Sequence, residues 1–361
     1  MKRSVRLFTV AVPVLVAASG FGLAPSARAT TGCTDTSPEA FSLDLTVDGE
    51  AAHGLYALPT DAPKGIVAFD HGYGHTSESW RHHLVRIAEE LDVIAIAMDY
   101  RGLQISPPAT AGGLPTSRGW NVAKGAADTI AATQQLEVEC PDADLIVVHG
   151  VSMGGNTSGL VAAAGAKRSD AETPLFDYWV NIEGATNVTE TYAAATAAAP
   201  ADTTAANAKV DIEAEMGGTL LANPDEYRRH SVVTRAADIK AGGLKGVVMV
   251  HGVDDGLVPP NQTREMGSML TQAGVPYELF TVVRRTAESE QDTTITGHAV
   301  GRVKKDYVSP FAGHASEKST TNVVMVKGFE RLAALFAGSA PCGVREHVVD
   351  ASTTTQVAST C

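Results

Sequence analysis

Beyond residue 33 the chain alternates short, continuously apolar runs with longer segments whose apolar residues recur at helical spacing. Gly65–Phe69, Val93–Met98, Asp144–His149, Tyr178–Ile182, Gly246–Val250 and Tyr277–Val283 are too short for helices. They are also too uniformly apolar for strands with one wet face, so they read as buried strands. Leu43–Val47 and Gly54–Leu58 read as a strand pair around the Asp48-Gly49 turn. Between these runs, Ser79–Leu91 places Trp80, Leu84, Ile87 and Leu91 on one helical face. Val122–Leu136, the small-residue segment Gly154–Ala166 and a last segment, Val323–Phe336, also read as helices. Apolar strands separated by helices predict the α/β class, with a mostly parallel central sheet covered by helices on both faces. Ala185–Ala237 interrupts this rhythm with an Ala- and Thr-rich stretch, read as a helical cap insertion.

Composition narrows the picture. With 44% hydrophobic and 19% charged residues, the 361-residue chain supports a large core and is neither disordered nor fibrous. Lys+Arg number 28 against Asp+Glu 41, a net charge of −13, which argues against a nucleic-acid partner. Lys2, Arg3 and Arg6 precede an apolar run, Leu7–Leu23, and an Ala27-Arg28-Ala29 cleavage signal. Residues 1–29 therefore read as a secretory signal peptide. Their four cations leave with them, taking the net charge from −13 to −17. The mature protein is expected to be secreted, without stable membrane insertion. In an oxidising compartment the four cysteines are expected to form two disulfides. Three pairings are possible; in one of them Cys33 with Cys140 would tie down the N-terminus, and Cys342 with Cys361 the Thr-rich tail at 342–361. Residues 30–341 then form the main domain, with the insertion at 185–237.

The chemistry concentrates at His149-Gly150-Val151-Ser152-Met153-Gly154-Gly155, a Gly-x-Ser-x-Gly sequence between an apolar strand and a small-residue helix. A serine lifted out of a sheet on so tight a turn needs neighbours without side chains, and the helix N-terminus behind it favours developing negative charge. With its surroundings this segment resembles the α/β-hydrolase superfamily of serine hydrolases, esterases and lipases among them, across roughly residues 53–337. Asp70-His71-Gly72-Tyr73-Gly74 is similar to that family's oxyanion loop, and Asp99-Tyr100-Arg101-Gly102 to its Asp-x-Arg-Gly turn. His251-Gly252-Val253-Asp254-Asp255-Gly256-Leu257-Val258-Pro259 is similar to its acid turn.

The resemblance implies an α/β-hydrolase fold and a Ser-Asp-His order, with Ser152 as nucleophile and Asp255 as the acid. Asp254 is the alternative acid, and Glu183, after the preceding strand, is a third. The base is His314, ahead of the last helix, with His298 as the alternative. The oxyanion hole would be the backbone N–H groups of Met153 and Tyr73. His71 and His75 read as loop-packing residues, and neither a metal nor a cofactor is expected. The implied reaction is hydrolysis of a carboxylic ester, small or lipid-like, through an acyl-enzyme. The same residues serve amide hydrolysis or acyl transfer, and a non-catalytic binding relative is the contrasting reading.

Overall fold

The computed structural model describes residues 32–283, 313–350 and 353–361. Residues 1–29 and His298 lie outside the described residues. The strands are β1 (Phe41–Val47), β2 (Glu50–Ala57), β3 (Gly65–Asp70), β4 (Val93–Met98), β5 (Gln104–Ser106), β6 (Thr116–Arg118), β7 (Leu145–Val151), β8 (Tyr178–Ile182), β9 (Gly246–Gly252), β10 (Tyr277–Val282), β11 (Val344–Asp350) and β12 (Thr353–Ser359). The helices are α1 (Arg81–Leu91), α2 (Val122–Glu139), α3 (Met153–Ala163), α4 (Val188–Ala198), α5 (Thr203–Glu215), α6 (Pro224–His230), α7 (Ala236–Gly242), α8 (Asn261–Ala273) and α9 (Val323–Phe336).

Ten strands form one sheet in the order β1-β2-β4-β3-β7-β8-β9-β10-β11-β12. Every pairing from β4 through β11 is parallel, while β1–β2, β2–β4 and β11–β12 are antiparallel. β5 and β6 form a separate pair. The apolar runs are buried on both faces because alternate residues enter two different cores. Ile66 and Ala68 pack with Ala132, Leu136, Val161, Met266 and Leu270 under α2, α3 and α8. Val67 and Phe69 pack with Leu84, Ile87, Phe329 and Leu332 under α1 and α9. This is the mostly parallel, helix-covered sheet that the pattern predicts, and it agrees with the α/β-hydrolase fold that the resemblance implies. In such sheets the loops at the carboxyl ends of the strands form the binding crevice.

Several elements were not expected, among them α8, β11 and β12. α8 buries Met266 and Leu270 but otherwise turns Gln262, Thr263 and Gly267 inward, so its apolar stripe is thin. The Thr-rich tail beyond α9, from which no strand was predicted, adds β11 parallel to β10 and returns as the fully exposed edge strand β12. Its β-branched residues suit an extended edge, yet it lacks the apolar run by which the other strands are read. The helical excursion between β8 and β9 holds α4, α5, α6 and α7, over much of the range 185–237 and a few residues beyond.

Disulfides join Cys33 to Cys140 and Cys342 to Cys361. No helix among the described residues is long and apolar enough to cross a membrane. Both facts are consistent with an extracellular protein.

One part of the core carries a pH liability. His149 in β7 is fully buried among Phe69, Trp80 and Phe329, and neither ring nitrogen has a hydrogen-bond partner among the described residues. His83 in α1 packs on the same Phe329. Burial pushes both imidazoles down to about 3. Unfolding restores an ordinary imidazole that binds a proton near pH ~6.5. The unfolded chain then holds more protons at mildly acidic pH, so their contribution to stability is complete above about 6.5 and fades toward about 3. Thermal melts should fall between pH 6.5 and 4 more steeply in the native protein than in His149→Phe. Equal slopes would show that these imidazoles do not govern acid sensitivity.

Candidate active site

Ser152 stands between β7 and α3 with φ 59° and ψ −122°. A side chain in this region strains the backbone by about 1–3 kcal/mol. Its surroundings leave little choice. A Cβ on Gly150 would overlap the carbonyl of Gly154, and one on Gly154 would overlap the carbonyl of Asp70 at the end of β3. The Ser152 N–H donates to Ile182 O at 3.0 Å, and its carbonyl accepts from Gly155 at 2.9 Å and Ala185 at 3.0 Å. The turn is thus locked to β8 as well as to α3, with the serine half-buried at the helix N-terminus.

Asp255 follows β9 and is fully buried. Its Oδ1 accepts from the N–H groups of Leu257 and Val258 at 2.8 and 2.9 Å, and its Oδ2 accepts from His314 Nδ1 at 2.7 Å. Asp254 is exposed. The structure therefore brings together Ser152, Asp255 and His314 of the sequence candidates, with Asp254 outside the cluster. Burial pushes the Asp255 carboxyl up, but the His314 and His251 imidazoles outweigh it and hold the group below the usual carboxylate range. Burial pulls His314 down, and its pairing with Asp255, assisted by Glu183 and Glu317, more than reverses this, raising it to about 9.

Glu183 is also at positive φ, 48°, and fully buried. Its Oε1 accepts from Gly252 N–H at 2.9 Å and its Oε2 from Ala315 N–H at 2.5 Å, so it ties the acid turn to the histidine loop. Its Oε2 lies 3.6 Å from His314 Nδ1, behind the closer Asp255. Burial and then the Asp255 charge raise Glu183 to about 7. Glu183, His251 and Asp255 hold ligand-type atoms within 4.8 Å of one another. The Glu183 and Asp255 oxygens already accept hydrogen bonds. His251 meets Thr263 Oγ1 at 2.5 Å and Val258 O at 2.8 Å, so this set works as a hydrogen-bond network rather than a cation cage.

The loop after β3 lies beside the serine, close enough that a Cβ on Gly72 would sit 3.4 Å from Ser152 Cβ. Gly72 donates its N–H to Glu317, three residues past His314, which leaves the Tyr73 N–H as the amide next in line. Glu317 also accepts from His75 Nδ1 at 2.5 Å. Burial raises the Glu317 carboxyl, but its contact with the His75 imidazole prevails and holds it at about 2. His75 is thus fixed by a buried carboxylate, and His71 is stacked on Tyr100 with ring centres 4.0 Å apart. Both accord with the loop-packing reading. Met153, the other oxyanion candidate, is the first residue of α3, where an amide has no partner within the helix.

These groups surround one cavity of about 130 Å³. Gly72, Tyr73, His75, Ser152 and His314 form one wall, and Thr191, Ala194, Ala195, Thr204, Ala205 and Ala208 of α4 and α5 form another. Sequence reading did not single out Glu317, Asp211 or the bridging role of Glu183. Each acts across more than 60 positions of sequence on a backbone amide or a remote side chain, which leaves no local pattern.

Comparison with known proteins accords with this fold. The prolyl oligopeptidase family pattern matches residues 115–286, just under half of the chain. No curated protein matches the sequence. The structure of a puromycin hydrolase superposes with a TM-score of 0.53 at 16% identity, over 85% of this chain and 40% of the other. A puromycin-hydrolysing peptidase of Mycobacterium tuberculosis gives 0.50 at 18%, over 84% and 41%. The acylaminoacyl peptidase of Pyrococcus horikoshii gives 0.54 at 13%, over 82% and 41%. The chain therefore spans about two-fifths of the length of these solved proteins.

The charge arrangement makes a direct prediction. In an NMR titration of labelled histidine, His314 should titrate near 9, well above an ordinary imidazole. Glu183→Gln removes a negative charge 3.6 Å from Nδ1 and so favours the neutral ring. Its His314 midpoint should move to lower pH. A midpoint unmoved by the substitution would show that Glu183 acts through its hydrogen bonds alone.

Proposed function

We propose that the chain is a serine hydrolase of the α/β-hydrolase superfamily, a secreted carboxylic ester hydrolase in which Ser152, His314 and Asp255 form the catalytic triad. The observation that carries the reading is the 2.7 Å hydrogen bond from His314 to a buried Asp255, on the rim of the cavity that also holds the strained Ser152. In this reading Asp255 fixes the Nδ1–H tautomer of His314, so that Nε2 takes the Ser152 proton as Oγ attacks the acyl carbonyl. The charge on the carbonyl oxygen is met by the N–H groups of Met153, at the positive end of α3, and Tyr73. His314 then returns its proton to the leaving alcohol. Water, activated by the same imidazole, releases the acid from the acyl-enzyme. Because His314 must be neutral to accept the proton, its elevated midpoint makes the enzyme most active on the alkaline side of neutrality.

The alanine and threonine wall and the small cavity suit a short, uncharged acyl group. A peptidase or amidase is the second reading, supported by the prolyl oligopeptidase match over residues 115–286. The signal-like residues 1–29 and the two disulfides support secretion.

The native protein should turn over p-nitrophenyl butyrate and be labelled at Ser152 by a fluorophosphonate. Ser152→Ala should lose both while its circular dichroism is unchanged. Turnover retained in that variant would remove the assignment of the nucleophile. A native protein that resists the probe would make the chain a binding relative. Cleavage of an aminoacyl p-nitroanilide in preference to the ester would move the assignment to the peptidase reading.

A further inference from the structure

Helix α5 grips the side chain of the residue to which we assign an oxyanion amide. Asp211, on α5, is 12% exposed at its side chain and lies 138 positions from Tyr73. The Tyr73 hydroxyl donates to Asp211 Oδ2. The same carboxylate takes a two-pronged bond from Arg118, Nε to Oδ2 at 2.9 Å and Nη2 to Oδ1 at 3.0 Å, and accepts the Gly119 N–H at 3.1 Å. A bidentate, charge-assisted arrangement of this kind fixes both distance and angle. It joins three separate segments: the loop after β3, the end of β6, and the helical insertion.

The other side of α5 reaches the second oxyanion candidate. Ile212 on α5 and Met216 just beyond it share a buried apolar cluster with Met153. About one and two turns before Asp211, Ala208 and Ala205 line the same cavity as Ser152. The helix that lines this cavity is therefore bonded to Tyr73 and shares an apolar cluster with Met153. Burial and the neighbouring Asp211 carboxylate hold the Tyr73 hydroxyl protonated, so it remains a donor across the working pH range.

We propose that Asp211 is a positioning residue for the oxyanion hole, holding Tyr73 through its hydroxyl so that the backbone N–H next to Gly72 points at the reacting carbonyl. The insertion then takes part in the chemistry instead of only covering the site. The inference rests on the serine-hydrolase reading above. Amide donors stabilise a transition state only when correctly aimed, and an error on the order of 1 Å costs about 100-fold in rate.

The test is steady-state hydrolysis of p-nitrophenyl butyrate by the full chain carrying Asp211→Ala, Asp211→Asn, Tyr73→Phe, and Asp211→Ala with Tyr73→Phe. Each variant is checked by circular dichroism. Asp211→Ala should lower kcat by about 10- to 100-fold with KM within about threefold, because the loss falls on the transition state. Tyr73→Phe keeps the amide and the ring and should lose a similar factor. The double variant should be no worse than the weaker single, since both remove one link. Asp211→Asn should recover part of the rate, its amide oxygen still accepting from Tyr73; it also serves if the alanine variant does not fold. Unchanged kcat in a folded Asp211→Ala would overturn the proposal. A loss confined to KM would make α5 a pocket wall only. Loss in Tyr73→Phe with none in Asp211→Ala would mean the hydroxyl acts directly on the substrate. Failure of the underlying reading is distinguishable, because Ser152→Ala would then retain turnover.

Discussion

The end of the molecule that carries the candidate site depends on a steric constraint at residues 150–155. A serine at φ 59° is tolerated because its backbone is bonded to two other segments, and because the residues around it have no side chains to collide. The constraint radiates outward. Gly154 lies against the carbonyl of Asp70, which carries the loop that ends in His75, and a Cβ on Gly155 would strike Gly184, next to Glu183. The carboxyl ends of β3, β7 and β8 are therefore brought together by contact between small residues. The side chains that assemble there inherit their positions from that contact.

Around this turn the electrostatics are unusual for so dry a region. Three fully or almost fully buried carboxylates, Glu183, Asp255 and Glu317, surround two imidazoles, His314 and His75. Two of the carboxylates are each matched to one imidazole and ionise readily. Glu183 is solvated mainly by two backbone amides and stands near 7. Charges removed from water persist only when paired or hydrogen-bonded, and each of these groups has found such a partner in a different loop. The network holds the loops together as much as it tunes proton affinity.

Much of this was legible in the chain itself, for identifiable reasons. The buried parallel strands announce themselves because both faces are apolar, and Gly-x-Ser-x-Gly because a strained turn restricts its neighbours to glycine. Asp255 and His314 follow from spacing within a family pattern, and they meet in space as that pattern implies. The preference for His314 over His298 rests on the family's placement of its histidine before the last helix, against the shorter spacing of His298 from the strand, and only His314 falls within the described residues. What stayed hidden acts at long range or without an apolar pattern. β11 and β12 are polar, α8 has a thin stripe, and Glu183, Asp211 and Glu317 each work on a backbone amide or side chain brought near only by folding.

The Cys33–Cys140 bridge has a consequence for proteolysis. It closes a covalent ring through β1–β6, α1 and α2, and within that ring lies the exposed, Pro- and Gly-containing stretch between β5 and β6. A foreign protease cutting that stretch would open the ring without releasing a fragment. Both pieces would stay tethered, with β2, β3 and β4 still laddered into the sheet. The loop beside Ser152 and the strands around it are thus insured against a single cleavage.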